Sequence, residues 1–338
     1  MINTDTILVS VCVPVYNVSR YIEHCVRSLM EQTHKRMEYI FVDDCSTDDS
    51  IDILKKTIDC YPQRENIKIL RNDRNHGLAF TRRESIMAAT GEYIICVDSD
   101  DFVEKNMADA LLNEIIRTGA DIVYSDIYVN SPDRTEIERY TRSDRHHAVY
   151  YPLQGLFCSL CGAIFKKQLF QDPAVFSPEG QDYLEDKLVS VKLALITQNI
   201  KHLPTPLYHY CIRAGSITSA VSYSIMDSFI SFWQQTDYLL QQYRLKDEFA
   251  ELTAYCKVRD KASLMLRVKD MDIRKKYADL FREEENTQMQ KLKRGTWLMS
   301  WLVHHHLWFL IRIYQIYIDR LSVRKVKKIT KSCFHLYN

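Results

Sequence analysis

Residues 39–48 indicate the fold class. They read Tyr39-Ile-Phe-Val-Asp-Asp-Cys-Ser-Thr-Asp48, an apolar run followed at once by acids. Similar apolar runs of strand length recur before residue 125, at 7–13, 67–70, 93–97 and 121–124. Between these runs, apolar residues recur at helical spacing, over roughly 18–31, 48–60, 78–90 and 104–118. Buried strands that alternate with helices predict an α/β fold with a doubly wound, mainly parallel sheet.

The composition is typical of a globular protein. Of 338 residues, 46% are hydrophobic and 26% are charged, which argues against global disorder. A net charge of +1 argues against a nucleic-acid partner bound by the whole chain. The ten cysteines are scattered, and the first residues lack the basic and apolar segments of a secretory signal. We therefore expect free thiols and a cytoplasmic location.

Proline and glycine divide the chain into two regions. All eight prolines and seven of the eight glycines lie before residue 216. Residues 216–338 therefore predict a mostly helical C-terminal region, and residues 1–215 a separate catalytic domain. The last 48 residues carry ten basic side chains and one acid, Asp319, which suggests an anionic partner for this end of the chain.

The ends of the predicted strands carry the functional signal, since ligands of such sheets bind beyond the carboxyl ends of the strands. The first strand ends in Pro14-Val-Tyr-Asn17, which excludes the glycine fingerprint of the dehydrogenases. The second ends in Asp43 and Asp44, and the fourth in Asp98-Ser-Asp-Asp101. Paired carboxylates of this kind suit Mg²⁺ or Mn²⁺ with phosphate oxygens. The plainer alternative for either pair alone is a helix N-cap.

Five motifs together resemble the inverting nucleotide-sugar glycosyltransferases of family 2, in family order and spacing. The matching stretches are Val11-Cys-Val-Pro-Val-Tyr-Asn17, Val42-Asp-Asp-Cys-Ser-Thr-Asp-Asp-Ser50, Asn75-His-Gly-Leu-Ala79, Gly91-Glu-Tyr-Ile94 and Asp98-Ser-Asp-Asp101. The resemblance extends over residues 5–215 and weakens after residue 125. It implies the A-type glycosyltransferase fold, a divalent metal (Mn²⁺ or Mg²⁺) and a nucleoside-diphosphate sugar donor. It also implies a glycan or lipid-linked glycan acceptor, as in bacterial surface-polysaccharide assembly.

The resemblance also implies roles on the donor side. Asp44 would accept the ring N–H of the donor base, which suits uracil or thymine and also guanine, with Asp43 beside it. Pro14, Tyr16 and Asn17 would contact the base and ribose. A packed core aromatic is the alternative for Tyr16.

Further roles concern the diphosphate. Asp98 would lie by the ribose or diphosphate, and Asp100, with Asp98, would hold the metal. Arg82 matches the arginine of the family's Ala-Arg-Asn, although Thr81 and Arg83 depart from it; it would contact the nucleotide or pair with an acid at the sheet edge. A solvated helix face is the alternative for Arg82.

The catalytic base is expected in the acidic start of a later helix. Glu185 and Asp186 precede apolar residues at helical spacing. By resemblance, Asp186 deprotonates the acceptor hydroxyl and Glu185 is its neighbour or an acceptor contact; Asp182 is the rival base. Acids also favour helix N-termini for electrostatic reasons alone.

The segment that closes the first domain resembles the family's Tyr-x-Tyr…Arg-x-x-Ser pattern. Arg213 and Ser216 are the expected diphosphate contacts. His209 would ligate the metal or pack, and we expect packing.

The C-terminal segment predicts a membrane-surface helix over residues 296–331. Residues 297–318 hold three of the four tryptophans, but His304-His-His306 and Arg312 interrupt the apolar stretch. Aromatic residues followed by a basic run fit a helix on an anionic leaflet, which would place the protein at the inner face of the plasma membrane. A helix packed on the protein is the alternative.

The sequence thus favours a metal-dependent glycosyltransferase over two other functions. A sugar-nucleotide pyrophosphorylase would need a glycine-rich basic loop after the first strand, where Pro14-Val-Tyr-Asn17 stands. An inactive transferase-like scaffold at the membrane is disfavoured because the acids Asp44, Asp98, Asp100 and Asp186 are all present.

Overall fold

A computed structural model describes residues 4–131, 133–139, 148–155, 159–181, 183–197, 199–213, 221–314 and 316–317. Its backbone forms two compact units. The first comprises Met1–Ile217 and Asp227–Arg244, and the second comprises Thr218–Met226 and Leu245–Asn338.

One mixed sheet forms the centre of the first unit. The strands run in the order β3-β2-β1-β4-β8-β6-β9-β5, with β7 paired to β6. Their bounds are β1 Val9–Val15, β2 Met37–Asp43, β3 Ile67–Arg71, β4 Tyr93–Cys96, β5 Phe102–Val103, β6 Ile122–Ser131, β7 Arg134–Glu138, β8 Ala163–Lys166 and β9 Ile200–Cys211.

Helices cover both faces of this sheet. They are α1 Ile22–Met30, α2 Ser50–Ile58, α3 Leu78–Met87, α4 Met107–Thr118, α5 Tyr150–Gln154, α6 Glu185–Ile196 and most of α7 Tyr223–Gln242. Successive residues of one strand belong to opposite apolar clusters: Val11 and Phe41 lie in one, and Cys12 and Ile40 in the other. Each strand therefore buries both faces, which explains its nearly continuous apolar sequence.

The predicted α/β fold is confirmed, and its parallel half matches the sequence closely. β1 pairs in parallel with β2 and β4, and β2 with β3. The other half differs from a purely parallel sheet, because β8 lies antiparallel between β4 and β6. Apolar periodicity identifies a strand but does not select its partner, so this insertion was not predicted.

Pro14 is compatible with a central strand for a local reason. The pairing of β1 with β4 ends at Cys12 opposite Cys96. Pro14 lies beyond that point, so the backbone N–H that proline lacks is not needed by β4. The strand end is thereby left open on the side of the acid motif at 98–101.

The second unit is helical. It contains α8 Lys246–Arg267, α9 Met271–Lys276, α10 Arg282–Gln288 and α11 Arg294–His304, followed by helical residues at 308–314 and 316–317. A buried ion pair joins Lys261 to Glu285 at 2.9 Å, and Glu285 also accepts hydrogen bonds from Ser300 and His304. Among the described residues, no helix has the length and hydropathy to cross a membrane.

Candidate active site

The loops after β1 and β2 are bound to each other. The Oδ1 atom of Asn17 accepts a hydrogen bond from the Thr47 N–H at 2.8 Å, and the Asn17 N–H donates to the Ser46 hydroxyl at 3.2 Å. Asn17 adopts a left-handed backbone with φ of 49°, a conformation that asparagine tolerates well. Tyr16, just before it, is 46% exposed. The side chain of Asn17 therefore holds the loop, while Tyr16 is open to a ligand.

Asp44 is buried and holds the loop that leads into α3. Its carboxylate accepts hydrogen bonds from Asn72 Nδ2 at 2.7 Å and from the backbone N–H groups of His76 and Gly77, both at 2.9 Å. Two of these bonds reach Oδ1 and one reaches Oδ2, so Oδ2 retains acceptor capacity. Asp44 can thus fix this loop and still accept one hydrogen bond from a ligand.

The Asp43 side chain makes contacts that differ from those of the Asp44 side chain. It is buried, pairs with the exposed Arg71 at 2.9 Å and accepts the Ser46 N–H at 2.8 Å. These contacts connect β2, β3 and the loop after β2.

The acid motif after β4 meets the end of β9. Asp100 pairs with the Arg213 guanidinium. Asp101 is buried and accepts hydrogen bonds from the Tyr208 hydroxyl at 2.6 Å and the Cys211 N–H at 2.7 Å. The same Tyr208 oxygen accepts the Asp98 N–H at 3.2 Å. Tyr208 therefore ties both ends of the motif to β9.

Three carboxylates lie close together in the acid motif: Asp98, Asp100 and Asp101. Burial, with the nearby carboxylates of Asp100 and Asp98, raises the pKa of Asp101 to about 8. Burial and the Asp98 carboxylate also raise the pKa of Asp100, although the Arg213 guanidinium opposes this. A bound cation would offset the repulsion between such closely spaced carboxylates.

Arg82 connects this motif to α6. It lies on α3 and is only 3% exposed. Its Nη2 atom lies 3.0 Å from Asp98 Oδ1 and 2.9 Å from Glu185 Oε1, and its Nε donates to the same Glu185 oxygen at 3.0 Å. Of the alternatives drawn from the sequence, Arg82 therefore pairs with an acid at the sheet edge and is not a solvated side chain.

Glu185 and Asp186 begin α6 in different surroundings. Glu185 is buried, and burial raises its pKa to about 7 despite the opposing charge of Arg82. Asp186 is half-buried and its Oδ1 accepts the Lys187 N–H at 2.7 Å. Burial raises the pKa of Asp186 as well, with Arg82 again opposing. Glu185 is thus paired with the Arg82 guanidinium, whereas Asp186 is not.

Contacts in the structure bring together Arg82, Asp98, Asp100, Glu185 and Arg213 as one site. Pro14, Tyr16, Asn17, Asp43 and Asp44 lie in or next to the loops after β1 and β2 at the same edge of the sheet. Ser216 and the rival base Asp182 lie outside the described residues.

His209 packs between rings. It stacks on Phe102 at 4.0 Å and on Tyr128 at 4.3 Å, and its Nε2 lies 2.9 Å from a Glu104 oxygen. The described residues contain no group of three His, Cys, Asp or Glu side chains placed to hold a metal ion.

Tyr208 and Asp101 are site residues whose roles sequence reasoning missed. Both stand within stretches that the sequence singled out, the acid motif and the Tyr-x-Tyr segment. Their contact joins positions 107 residues apart. The only sequence signal was a third acid in the motif, since spacing alone does not show which acid faces inward.

Comparison with known proteins identifies the domain. Residues 10–172 match the family described as Glycosyl transferase family 2. This chain contains a family 2 glycosyltransferase domain. The match includes the loops after β1, β2 and β4 and the Arg82 helix, and it ends before Glu185, Asp186 and Arg213.

Relatives that match this domain are also named as glycosyltransferases. Glycosyltransferase GlyG of Streptococcus pneumoniae is 29% identical over 225 residues, which are 62% of this chain and 72% of that protein. The poly(ribitol-phosphate) beta-N-acetylglucosaminyltransferase TarS of Staphylococcus aureus is 27% identical over 220 residues, which are 60% of this chain and 35% of that protein.

Solved structures share the fold of the family 2 domain. Residues 1–349 of TarS, in complex with UDP-GlcNAc, superpose with a TM-score of 0.60 at 18% identity, covering 88% of this chain and 92% of that one. A mannosyltransferase of Pyrobaculum calidifontis, in complex with GDP-Man and Mn²⁺, superposes with a TM-score of 0.51 at 14% identity, covering 94% and 86%. These likenesses confirm the predicted A-type fold.

Proposed function

We propose that this protein is a metal-dependent, inverting glycosyltransferase that moves a sugar from a nucleoside-diphosphate donor to an acceptor hydroxyl. One observation carries the proposal: Arg82 contacts both Asp98, after β4, and Glu185, at the start of α6. A single side chain therefore links the motif expected at the donor to the acids expected at the acceptor.

On the donor side, the nucleotide base is assigned to a position beside Asp44. The free acceptor capacity of its Oδ2 suits a ring N–H, as in uracil, so we infer a UDP-linked sugar. The exposed ring of Tyr16 would pack on the base, beside Pro14 and the loop that Asn17 holds. Arg213 and Ser216 are assigned to the diphosphate.

A divalent cation, Mn²⁺ or Mg²⁺, fits the chemistry of the acid motif. Asp98 and Asp100 would hold it, in keeping with the preference of these ions for one or two carboxylates plus substrate phosphates. Burial and the neighbouring carboxylates raise the pKa values of Asp100 and Asp101, and the repulsion between these carboxylates is what a bound cation would relieve. When bound, it would neutralise charge on the leaving diphosphate.

On the acceptor side, Asp186 is assigned as the general base. Its carboxylate takes the proton of the acceptor hydroxyl while that oxygen forms a bond to the anomeric carbon. The bond from that carbon to the diphosphate oxygen breaks at the opposite face. A single displacement inverts the anomeric centre, so an α-linked donor gives a β-glycoside.

We further infer a place in the assembly of a bacterial surface polysaccharide, lipopolysaccharide or capsule, with a glycan or lipid-linked glycan as acceptor. Support comes from TarS, whose name gives poly(ribitol-phosphate) as the polymer to which it transfers N-acetylglucosamine. Catalysis is assigned to residues 1–215, and the helical region 216–338 is assigned a role at the membrane.

The surface proposed to meet the membrane is the exposed apolar face, defined as Phe309, Leu310, Ile313, Ile316 and Tyr317. Their exposed fractions run from 45% to 75%. At 100° per residue these five positions fall within an arc of about 120° on one side of a helix. Six basic residues follow between positions 320 and 331. An apolar stripe next to basic residues fits the cytoplasmic surface of an anionic plasma membrane.

The earlier part of the predicted surface helix is placed differently. α11 ends at His304, and its residues Met299, Leu302 and Val303 are buried, not exposed to a membrane surface. The membrane assignment therefore rests on residues after 307 alone.

A thermal-shift measurement with UDP, dTDP and GDP, each with and without Mn²⁺, tests the proposed function. A ligand that binds only the folded state, at a free concentration of 100 times its Kd, stabilises the protein by about 2.7 kcal/mol. We expect UDP with Mn²⁺ to raise the melting temperature more than UDP with EDTA. No shift with any of the three nucleotides would contradict the proposal.

A further inference from the structure

We propose that Arg82 is a positioning residue, which sets the direction of the base Asp186 relative to the donor-side acids through its hold on Glu185. The inference rests on the proposed function and deepens it. It assigns Arg82 no contact with the nucleotide, although the sequence left that role open.

Two guanidinium nitrogens of Arg82 face carboxylates of the protein, while the third, Nη1, is buried without a hydrogen-bond partner among the described residues. Two of its three nitrogens, Nε and Nη2, reach Glu185 Oε1 at 3.0 and 2.9 Å, and Nη2 also lies 3.0 Å from Asp98 Oδ1. The Arg82 and Glu185 side chains are each 4% exposed, whereas the Asp98 side chain is 31% exposed. The pair with Glu185 is therefore a buried contact, and only Asp98 extends from it toward solvent.

The first turn of α6 is held from a second direction. The Glu185 carbonyl accepts a hydrogen bond from the Ser177 hydroxyl at 2.7 Å. Leu184, just before it, has a left-handed backbone with φ of 61°. With the backbone and the side chain of Glu185 both fixed, the adjacent residue has little freedom to turn. The direction of Asp186 therefore depends on contacts made by Glu185, together with its own hydrogen bonds from the Lys187 N–H and the Ser159 side chain.

The charge balance explains why an arginine is needed here. Without Arg82, the buried Glu185 carboxylate would lie next to Asp186 and would lose the guanidinium that neutralises it. Removing one partner of such a pair leaves an uncompensated buried charge. Lysine would keep the charge, but it cannot make the two-pronged contact, because its ammonium is a point charge.

Three variants of the full-length protein separate positioning from stability. Arg82→Lys keeps the charge and loses the fork. The double variant Arg82→Met with Glu185→Met replaces the buried pair by apolar side chains, which is often tolerated. Glu38→Gln is the matched control: Glu38 is also a buried carboxylate of the first unit, bonded to Ser10 and Lys68, and has no assigned role in the reaction.

Two readouts are measured with Mn²⁺: the Kd of UDP by calorimetry, and kcat and KM for hydrolysis of UDP-glucose, UDP-galactose and UDP-GlcNAc. Misplacing a reacting group by about 1 Å costs roughly 10²-fold in rate. We expect both Arg82 variants to lose kcat on that scale, with the UDP Kd and donor KM within about threefold of wild type. Glu38→Gln should lose stability and keep kcat.

The outcomes distinguish the two claims. If wild type turns over a donor and Arg82→Lys keeps its kcat, the positioning role is wrong and the proposed function stands. A tenfold loss of UDP affinity with kcat preserved would also overturn it, by making Arg82 a nucleotide contact. If wild type turns over none of the three donors and binds no UDP, the proposed function fails and the inference fails with it.

Discussion

Two adjacent acids at the start of α6 are assigned unlike roles because their partners differ. The Glu185 carboxylate pairs with Arg82, while the half-buried Asp186 accepts hydrogen bonds from the Lys187 N–H and the Ser159 side chain. A general base must have its carboxylate available to the acceptor proton. This contrast favours Asp186 over Glu185 as the proposed base.

Asp186→Asn is nearly isosteric but cannot accept the proton. We expect donor affinity to stay close to wild type and donor turnover to fall by roughly 10²- to 10⁴-fold, the usual contribution of a general base. Calorimetry with UDP and Mn²⁺ and a turnover assay measure the two effects. Asp109→Asn, which alters an acid in the first turn of α4, is the control and should change neither. A loss of UDP affinity in Asp186→Asn would place this residue at the nucleotide.

Asp100→Ala removes the acid assigned to the metal. The substitution leaves Arg213 without its partner but touches no apolar core, so we expect the fold to persist. UDP binding should lose its dependence on Mn²⁺, falling to the level that wild type shows with EDTA. Calorimetry with and without Mn²⁺ checks this, with Asp109→Ala as control. Mn²⁺-dependent binding that survives in Asp100→Ala would remove Asp100 from the metal site.

The sequence predicted which residues lie at the sheet edge better than what they touch. Asp44, Asp98 and Asp100 follow apolar strands directly, and the direction of parallel strands places them at one edge. The pairing of Arg82 with Glu185 spans 103 residues, and no local pattern encodes it. Family resemblance named both residues without relating them.

At the scale of elements, Glu38 joins three strands of the sheet. This residue of β2 accepts a hydrogen bond from Ser10 on β1 at 2.5 Å and from the Gly91 N–H at 3.0 Å, and pairs with Lys68 on β3 at 3.1 Å. Burial alone would raise its pKa, but the hydrogen bonds from Ser10 and Thr90 and the contact with Lys68 outweigh it and lower the pKa to about 2. The ionised carboxylate is therefore stabilised by folding.

The pH dependence of stability follows from that lowered pKa. The contribution of Glu38 is fully present above its ordinary pKa of 4.5 and is lost as the pH falls toward 2. Its size is at most about 3 kcal/mol, because solvent screens the contact with the exposed Lys68 side chain. We expect Glu38→Gln to be less stable than wild type at pH 7, with a difference that narrows by pH 3, measured by urea unfolding. A difference that does not change with pH would contradict this assignment.

Elements with strong local signals were predicted, and those defined by pairing were not. Helices α1 to α4 lie within the predicted ranges because apolar spacing and strand ends mark them. α4 also ends where Gly119 adopts a left-handed φ of 66°. β8 has four residues, and its place between β4 and β6 depends on antiparallel contacts that periodicity does not specify.

At the scale of the whole molecule, the exposed apolar face is expected to hold the protein on membranes. Phe309→Gln with Ile313→Gln should reduce binding to vesicles of phosphatidylcholine with phosphatidylglycerol by at least about tenfold, because each full burial of such a side chain contributes about 1.5–3 kcal/mol. Wild-type binding should weaken in high salt, since basic residues add to it. Vesicle co-sedimentation measures both effects.

Tyr238→Gln is the matched control for that experiment, because Tyr238 lies on α7 and is 61% exposed. It should pellet like wild type. Removing residues 296–338 is a poorer test, since it deletes Ser300 and His304, which bond to the buried Glu285. Wild-type protein that stays in the supernatant would exclude the membrane role.

The proposed reaction is transfer from a nucleotide sugar that inverts the anomeric centre and depends on a divalent metal. Proton NMR of the anomeric signal tests it most directly, by following the first sugar released from α-linked UDP-glucose, UDP-galactose or UDP-GlcNAc. We expect the β-anomer to form first in the presence of Mn²⁺ and EDTA to abolish turnover. Initial release of the α-anomer, or turnover that is unchanged by EDTA, would contradict it.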